Sequence, residues 1–404
     1  MKGASGNKGP DVRSDCYVEL EIRKSGGIRM DVHSKVEAMY GDSIRDLLRQ
    51  CLKTFGIGHA SLVVEDQGAL PFVIMARLEA AVKRILETDN EILPPMQKHC
   101  IYPAVRDRFR FSRLYLPGNT PRIMINAGIH KPHGIIFDLE DSVAPEKKEE
   151  ARLLVRNALR TLDLFGAERM VRINQLPLGL DDLKTVVPQQ VHTVLIPKCE
   201  TPDQVKRADD EVTRIMRERK MKGDLFLMPI IESALGSENA YSIATASERT
   251  VALAIGLEDY TADMGVMRTK EGHESFYART RLVNACKAAG IQAIDSVFSD
   301  VDDEEGLRKT IRISKSLGFE GMGCIHPRQI RIIHEEYTPS REEIERAMKI
   351  TDAYMEARKK GLGVVALGTK MIDKPVVKRA EKIIELAITL GVLSKKWRTE
   401  HAGK

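Results

Sequence analysis

Several things are scarce in this chain, and each scarcity narrows what it can be. Aromatic residues are only 5% of 404, with a single tryptophan. A nucleic-acid surface that stacks bases on aromatic platforms is therefore not expected. No charge of one sign dominates: 63 basic residues face 58 acidic ones, for a net +5. That balance lacks a basic stripe for a polyanion but tolerates small anionic substrates. The six cysteines, Cys16, Cys51, Cys100, Cys199, Cys286 and Cys324, are widely scattered, with no CxxC pair. A zinc ribbon or disulfide scaffold is excluded, and buried free thiols in a reducing cytoplasm are the expectation. No apolar run approaches the roughly 20 residues that cross a bilayer. The first ten residues, MKGASGNKGP, hold no apolar stretch, so no signal peptide is expected.

What is present is ordinary globular material, 43% apolar and 30% charged, at a length that suits two or three domains. Pro94, Pro95 and Pro103 interrupt the patterning over 88–106, because proline breaks helices and ladders alike. Ahead of that break, alternation over 17–22 and 28–32 flanks a Ser25-Gly26-Gly27 turn. Helical spacing runs over 35–55, a short strand over 61–64, and a second amphipathic helix over 71–86. The reading is a small α+β domain over 1–90 and a linker over 91–106.

Beyond the break, strands and helices alternate. Strands are expected at 112–117, 134–139, 168–173, 193–198, 225–232, 251–257, 292–298 and 321–326, with helical stretches after most of them. Eight such units in about 220 residues predict a (β/α)8 TIM barrel over 107–336, within the α/β class. Helices near 340–360 and 373–390 form an extension over 337–404, read as an appendage or an oligomer contact. The run Lys395-Lys396-Trp397-Arg398 is expected to be a solvated tail.

In barrels of this class the active site is built at the C-terminal ends of the strands. Four strands here run into charge: the second into Asp138, Glu140 and Asp141, the third into Arg172 and Asn174, the fifth into Glu232, the sixth into Glu258 and Asp259. Charge at the end of a buried strand is costly unless it is paired or ligated. Glu232 and Asp259 fall on adjacent strands at the same end, a donor set suited to Mg²⁺. No His/Cys cluster accompanies them, which argues against zinc. Arg172 suits a carboxylate, which a guanidinium grips bidentately. A metal beside an arginine can hold a 2-keto acid, so the reaction class implied is carbon–carbon cleavage that leaves an enolate to be stabilised.

At these residues the chain resembles the citrate lyase beta-subunit (HpcH/HpaI aldolase/citrate lyase) family, which includes malyl-CoA and citramalyl-CoA lyases. The matching segments are Ser112–Asn119, Phe137–Val143, Val171–Asn174, Ile231–Ala234, Gly256–Tyr260 and Gly323–Pro327, in the family's order. The resemblance implies that Glu232 and Asp259 ligate Mg²⁺ and that Arg172 holds the keto-acid carboxylate. By the same resemblance Arg113 is a second anion contact near the thioester, and Asp138 and Glu140 shape the site or orient waters. For Asp138 a structural role is the alternative, and His326 reads as a structural histidine at the end of strand eight.

The front domain resembles the citrate lyase acyl carrier protein (the gamma subunit), on Ser34-Lys35-Val36, Tyr40–Ile44, Glu65–Leu70 and Ala76–Ala81. That resemblance implies a phosphoribosyl-dephospho-CoA prosthetic group on Ser14. The chain departs from the pattern in that Asp15 follows Ser14 directly, Pro71 replaces a usual acidic residue and Met75 a usual arginine. Without the group, Ser14 is an ordinary polar residue before the first strand.

Three functions follow as expectations. The first is a lyase splitting a citryl-type thioester into oxaloacetate and an acyl thioester, requiring a citrate lyase alpha (acyl-transferase) subunit as partner. The second is a malyl-CoA or citramalyl-CoA lyase, or related thioesterase, acting on free CoA thioesters. The third is a non-catalytic CoA-thioester-binding or assembly protein. A cytoplasmic homo-oligomer with no nucleic-acid or membrane partner is expected.

Overall fold

The computed structural model describes residues 1–359, 361, 364–367 and 370–401. Residues 402–404 of the expected extension lie outside the described residues. Met1–Arg331 form one compact unit and Ile332–Lys404 another.

The first unit opens with a four-stranded sheet. It is made of β1 (Lys2–Gly6), β2 (Cys16–Ile22), β3 (Ile28–Ser34) and, after helix α1 (Glu37–Thr54), β4 (Ala60–Asp66), in the order β1-β2-β4-β3. Alternation places Cys16, Val18 and Leu20 of β2 inward beside Leu62 and Val64 of β4, all buried. β1 is an addition to the sequence reading. Its residues, Lys-Gly-Ala-Ser-Gly, carry no apolar alternation, yet they pair antiparallel with Tyr17–Glu21.

Helix α2 (Pro71–Lys83) starts on a proline, which suits the first helical turn. Every residue from Phe72 to Val82 is buried, because the helix packs on β1, β2 and α1 and also on α4 of the barrel. Charges inside that seam are paired. Arg77, fully buried, donates to both oxygens of Asp15 at 2.9 Å and to Asn119 Oδ1 at 2.6 Å, and lies 3.2 Å from Glu150. Arg156 bonds Glu79 at 2.7 and 2.9 Å and Glu91 at 2.9 Å. The proline-bearing segment after α2 is strapped down as well: Ile92 N–H donates to Glu79, and Arg160 donates to the Pro94 carbonyl.

The barrel strands are β5 (Ser112–Pro117), β6 (Gly134–Asp138), β7 (Glu168–Arg172), β8 (Thr193–Ile196), β9 (Phe226–Ile231), β10 (Ala252–Ile255), β11 (Gln292–Ile294) and β12 (Met322–Cys324). Interleaved are α3 (Pro121–Met124), α4 (Lys148–Thr161), α5 (Gly179–Val186), α6 (Pro202–Glu218), α7 (Ala234–Glu238), α8 (Ala240–Ala244), α9 (Leu257–Asp263), α10 (Phe276–Ala289) and α11 (Glu304–Leu317). All neighbours are parallel, in the order β11-β10-β9-β8-β7-β6-β5-β12, and an Asp295–Met322 bridge closes the ring. This is the TIM barrel expected. Ile136, Met170, Leu195, Met228, Ile230, Ala252, Ala254 and Ile294 fill its interior. The helical stretch after the fifth barrel strand is two short helices, α7 and α8. Glu258 and Asp259, read as a strand end, stand instead in the first turn of α9.

The second unit continues from α12 (Pro327–Tyr337) with α13 (Arg341–Lys359), β13 (Val365–Leu367), β14 (Lys370–Ile372), α14 (Lys374–Thr389) and α15 (Trp397–His401). Its core joins Ala347, Ile350, Ile372, Val377, Ala380 and Ile384 to Trp397, which is 5% exposed. The expected solvated tail is corrected there: the indole is the largest apolar body this small unit has to bury. Among the described residues no helix is long and apolar enough to cross a membrane.

Candidate active site

At the C-terminal rim of the barrel lies a cavity of about 380 Å³, lined among others by Arg113, Tyr115, Asp138, Arg172, Glu232 and Asp259. Of the seven residues given site roles by resemblance (Ser14, Arg113, Asp138, Glu140, Arg172, Glu232 and Asp259), five share this cavity. A second cavity of about 290 Å³ adjoins it at Leu257, Glu258, Asp295 and Ser296.

Strand register builds the first pair. Asp138 and Arg172 are Cα partners across β6 and β7. Arg172 Nε and Nη2 donate to the two Asp138 oxygens at 2.6 and 2.7 Å, a bidentate fork. Asp138 also accepts backbone N–H bonds from Glu140 and Ser142. Burial pushes its carboxyl up, but the Arg172 bonds and charge outweigh that and hold it below the ordinary range. Arg172 Nη1 lies 2.9 Å from Glu140 Oε2, and the guanidinium stands over the Tyr115 ring at 5.4 Å. Glu140 flanks the cavity and takes a bond from Gln175.

Arg113 is a different case. It is 1% exposed, Nη1 donates to Met228 Sδ at 3.0 Å, and Nε has no hydrogen-bond partner. No carboxylate pairs with it among the described residues. Burial drives its pKa down, helped by the nearby charge of Arg110, and the fields of Tyr115, Cys324 and Glu168 do not restore it. A β-carbon on its β12 neighbour Gly323 would stand 2.7 Å from Val297 and 3.1 Å from the Tyr115 ring. Glycine keeps that wall of the cavity open.

Glu232 follows β9 directly, 5% exposed. Its Oε2 accepts the Lys198 backbone N–H at 2.7 Å. Across from it, a β-carbon on Gly256 would come within 2.4 Å of Oε1, so only glycine leaves the carboxylate room there. Burial above all, with Asp259 and Glu140 adding to it, pushes Glu232 up to about 8 against the opposing Lys198 N–H and Arg172. A carboxyl so poorly compensated inside a cavity is the kind of group a bound cation would satisfy.

Lys198, which sequence reasoning missed, touches both acidic candidates. Its Nζ lies 3.4 Å from Asp259, 3.4 Å from Glu140 and 3.5 Å from Asp141. The signal was available, since the strand expected over 193–198 also ends in charge.

Other strand-end residues do other work. Asn174 donates twice to Asp182, Glu258 pairs with Arg268 at 2.7 Å, and His326 Nδ1 accepts the Arg328 N–H. Ser14 lies outside the cavity, half-buried, in the left-handed region at φ +56 with its N–H bonded to the Gln67 carbonyl. Its neighbour Asp15 is held by Arg77, which also grips Asn119, two residues past the cavity-lining Pro117.

The donors fit a hard cation. Among the described residues no three His, Cys, Asp or Glu side chains converge to hold a metal. The protein would contribute two carboxylates and leave the remaining positions to water and substrate oxygens, as at many Mg²⁺ sites.

Residues 112–327 match the family model for HpcH/HpaI aldolase/citrate lyase. Residues 9–85 match that for the malonate decarboxylase delta subunit. The chain is 39% identical to citrate lyase subunit beta of Leuconostoc mesenteroides subsp. cremoris, over 70% of this chain and 94% of that one. It is 34% identical to mitochondrial citramalyl-CoA lyase of Mus musculus, over 69% of this chain and 86% of that one. The crystal structure of CitE from Mycobacterium tuberculosis in complex with magnesium, acetoacetate and coenzyme A superposes with a TM-score of 0.59 at 29% identity, covering 70% of this chain and 99% of that one.

Proposed function

The chain belongs to the HpcH/HpaI aldolase/citrate lyase family as a carbon–carbon lyase of the citrate lyase beta-subunit kind, and from that premise we propose that it cleaves a 3-hydroxyacyl thioester of the citryl type into a 2-keto acid such as oxaloacetate and an acyl thioester. The observation that carries this is the cavity that gathers Arg113, Arg172, Glu232 and Asp259.

In this reading Glu232 and Asp259 hold Mg²⁺, which when bound supplies Lewis acidity to the oxygens of the reacting acid. Arg172, its orientation fixed by Asp138, offers its remaining N–H groups to the keto-acid carboxylate. Arg113 meets a second anionic group deeper in the barrel. Ile230, Ile255 and Val297 exclude water around the breaking bond, which strengthens every charge interaction inside. The cleaved bond's electron pair passes to the thioester α-carbon. The proton lost by the hydroxyl balances the one that carbon gains.

The front domain serves as the acyl carrier, with the prosthetic group on Ser14 and a separate alpha subunit to transfer the acyl group. A second reading, lysis of free CoA thioesters, draws on the similarity to citramalyl-CoA lyase and on the engagement of Asp15 by Arg77. Intact mass of protein from its native host separates the two: an arm on Ser14 supports the carrier, an unmodified chain active on CoA thioesters the alternative. Glu232→Ala and Asp259→Ala are expected to abolish magnesium-dependent cleavage with the circular-dichroism spectrum retained. Unchanged turnover in either would refute the metal assignment.

A further inference from the structure

Lys198 is unusual twice over. It is a non-glycine residue in the left-handed region, φ +45, a conformation that costs free energy and persists where the surroundings impose it. Here they do: its N–H is fixed on Glu232 Oε2 at 2.7 Å, and its carbonyl accepts from Gln204 Nε2 at 3.3 Å. Gln204 itself belongs to the capping box that starts α6. The backbone is thereby committed to orienting one proposed metal ligand. The side chain goes to the other.

The ammonium lies among three carboxylates, Asp259, Glu140 and Asp141, at 3.4, 3.4 and 3.5 Å. None is as close as the 2.7–2.9 Å of a strong charge-assisted bond. A lysine acts as a compact point charge, and this one is shared among three acids without being fixed to any of them. Its side chain is 32% exposed, so it has room to move.

We propose that the Lys198 ammonium occupies the charge position of the divalent cation, and that loading the ion requires it to leave Asp259 for Glu140 and Asp141. The inference rests on the reading that Glu232 and Asp259 are the ligands. Lys198 is then a positioning residue with two functions: its main chain aims Glu232, and its side chain offsets part of the negative charge of the empty acidic rim and competes with the metal for Asp259. The competition explains how the rim stays folded before loading, since like charges crowded without a counter-ion repel.

The sign of the consequence is unusual for a site residue. Removing the ammonium should tighten Mg²⁺ binding, because the ion no longer displaces a positive charge a few ångströms away. Damage to a site weakens binding, so a gain cannot come from a merely structural role. The test is calorimetric titration of the full-length protein with magnesium chloride. Lys198→Met is expected to bind roughly tenfold or more tightly than wild type, and Lys198→Arg, which keeps the charge, close to wild type. Should Lys198→Met fail to fold, Lys198→Gln carries the same expectation. Asp259→Asn serves as the control and is expected to lose binding. If Asp259→Asn loses binding while the neutral Lys198 variants bind with unchanged or weaker affinity, the proposal falls and the ligand assignment stands. If Asp259→Asn and Glu232→Gln both bind magnesium as wild type does, the ligand assignment itself falls.

Discussion

Two charged assemblies lie in the first unit, and they are built on opposite terms. At the seam between the front sheet and the barrel, Arg77 and Arg156 are fully buried, and carboxylates of Asp15, Glu150, Glu79 and Glu91 meet them. In the active-site cavity, Arg113 is as deeply buried with no carboxylate paired to it among the described residues, and Glu232 is pushed up to about 8, chiefly by burial. Seam charges answer one another; in the cavity Arg172 is answered by Asp138, but Arg113 and Glu232 leave capacity over. Saturated burial marks a structural device and unsaturated burial marks a place prepared for a ligand, because an unpaired buried charge costs free energy that only a binding partner returns.

Three substitutions would break or sharpen that contrast. Arg172→Lys is expected to have the largest effect, lowering cleavage by about 10² to 10³-fold and weakening keto-acid binding more than thioester binding, since lysine has no planar fork. Steady-state kinetics with competing ligands would read both, and equal losses for both ligands would argue against the role. Arg77→Met should cost about 3–5 kcal/mol in denaturant unfolding, the penalty of stranding buried carboxylates. Arg113→Met should do the reverse, raising stability by about 1–2 kcal/mol while thioester binding weakens; a loss of stability there would dissolve the distinction between seam and cavity.

A pH control stands apart from both assemblies. Burial and Arg169 together lower His192 to about 4, against its bond to the Tyr102 carbonyl. The native state then binds fewer protons than the unfolded one. Its contribution is full above about pH 6.5 and is lost as pH falls towards 4, on the order of 1–3 kcal/mol. A His192→Gln variant should show a shallower decline in chemical unfolding over that window.

The sequence displayed the barrel and much of its rim for one reason. Runs such as Gly-Ile-Ile-Phe and Met-Pro-Ile-Ile are apolar until a charged residue interrupts them, so Asp138, Arg172 and Glu232 advertise the strand ends that hold them. Lys198 was harder to see, because lysine is the commonest way to end an element in water, and only the fold reveals three acids around it. β1 was hidden because a glycine- and serine-bearing segment gains its pairing from the partner strand and not from its own pattern. Trp397 was misjudged from its basic neighbours, which stay in solvent while the ring turns inward. The segment over 91–106 reads as a linker by its prolines, and its main chain is hydrogen-bonded to α4.

The tightness of the seam limits how a carrier could operate here. Separate carrier modules can deliver cargo by diffusing as whole bodies between stations. With α2 enclosed on both sides and Arg77 gripping Asp15 and Asn119 at once, this module is moored. Anything fastened at Ser14 would have to reach its destination by the swing of its own tether, and the radius of that swing, not the mobility of a domain, would decide which chemistry it could visit.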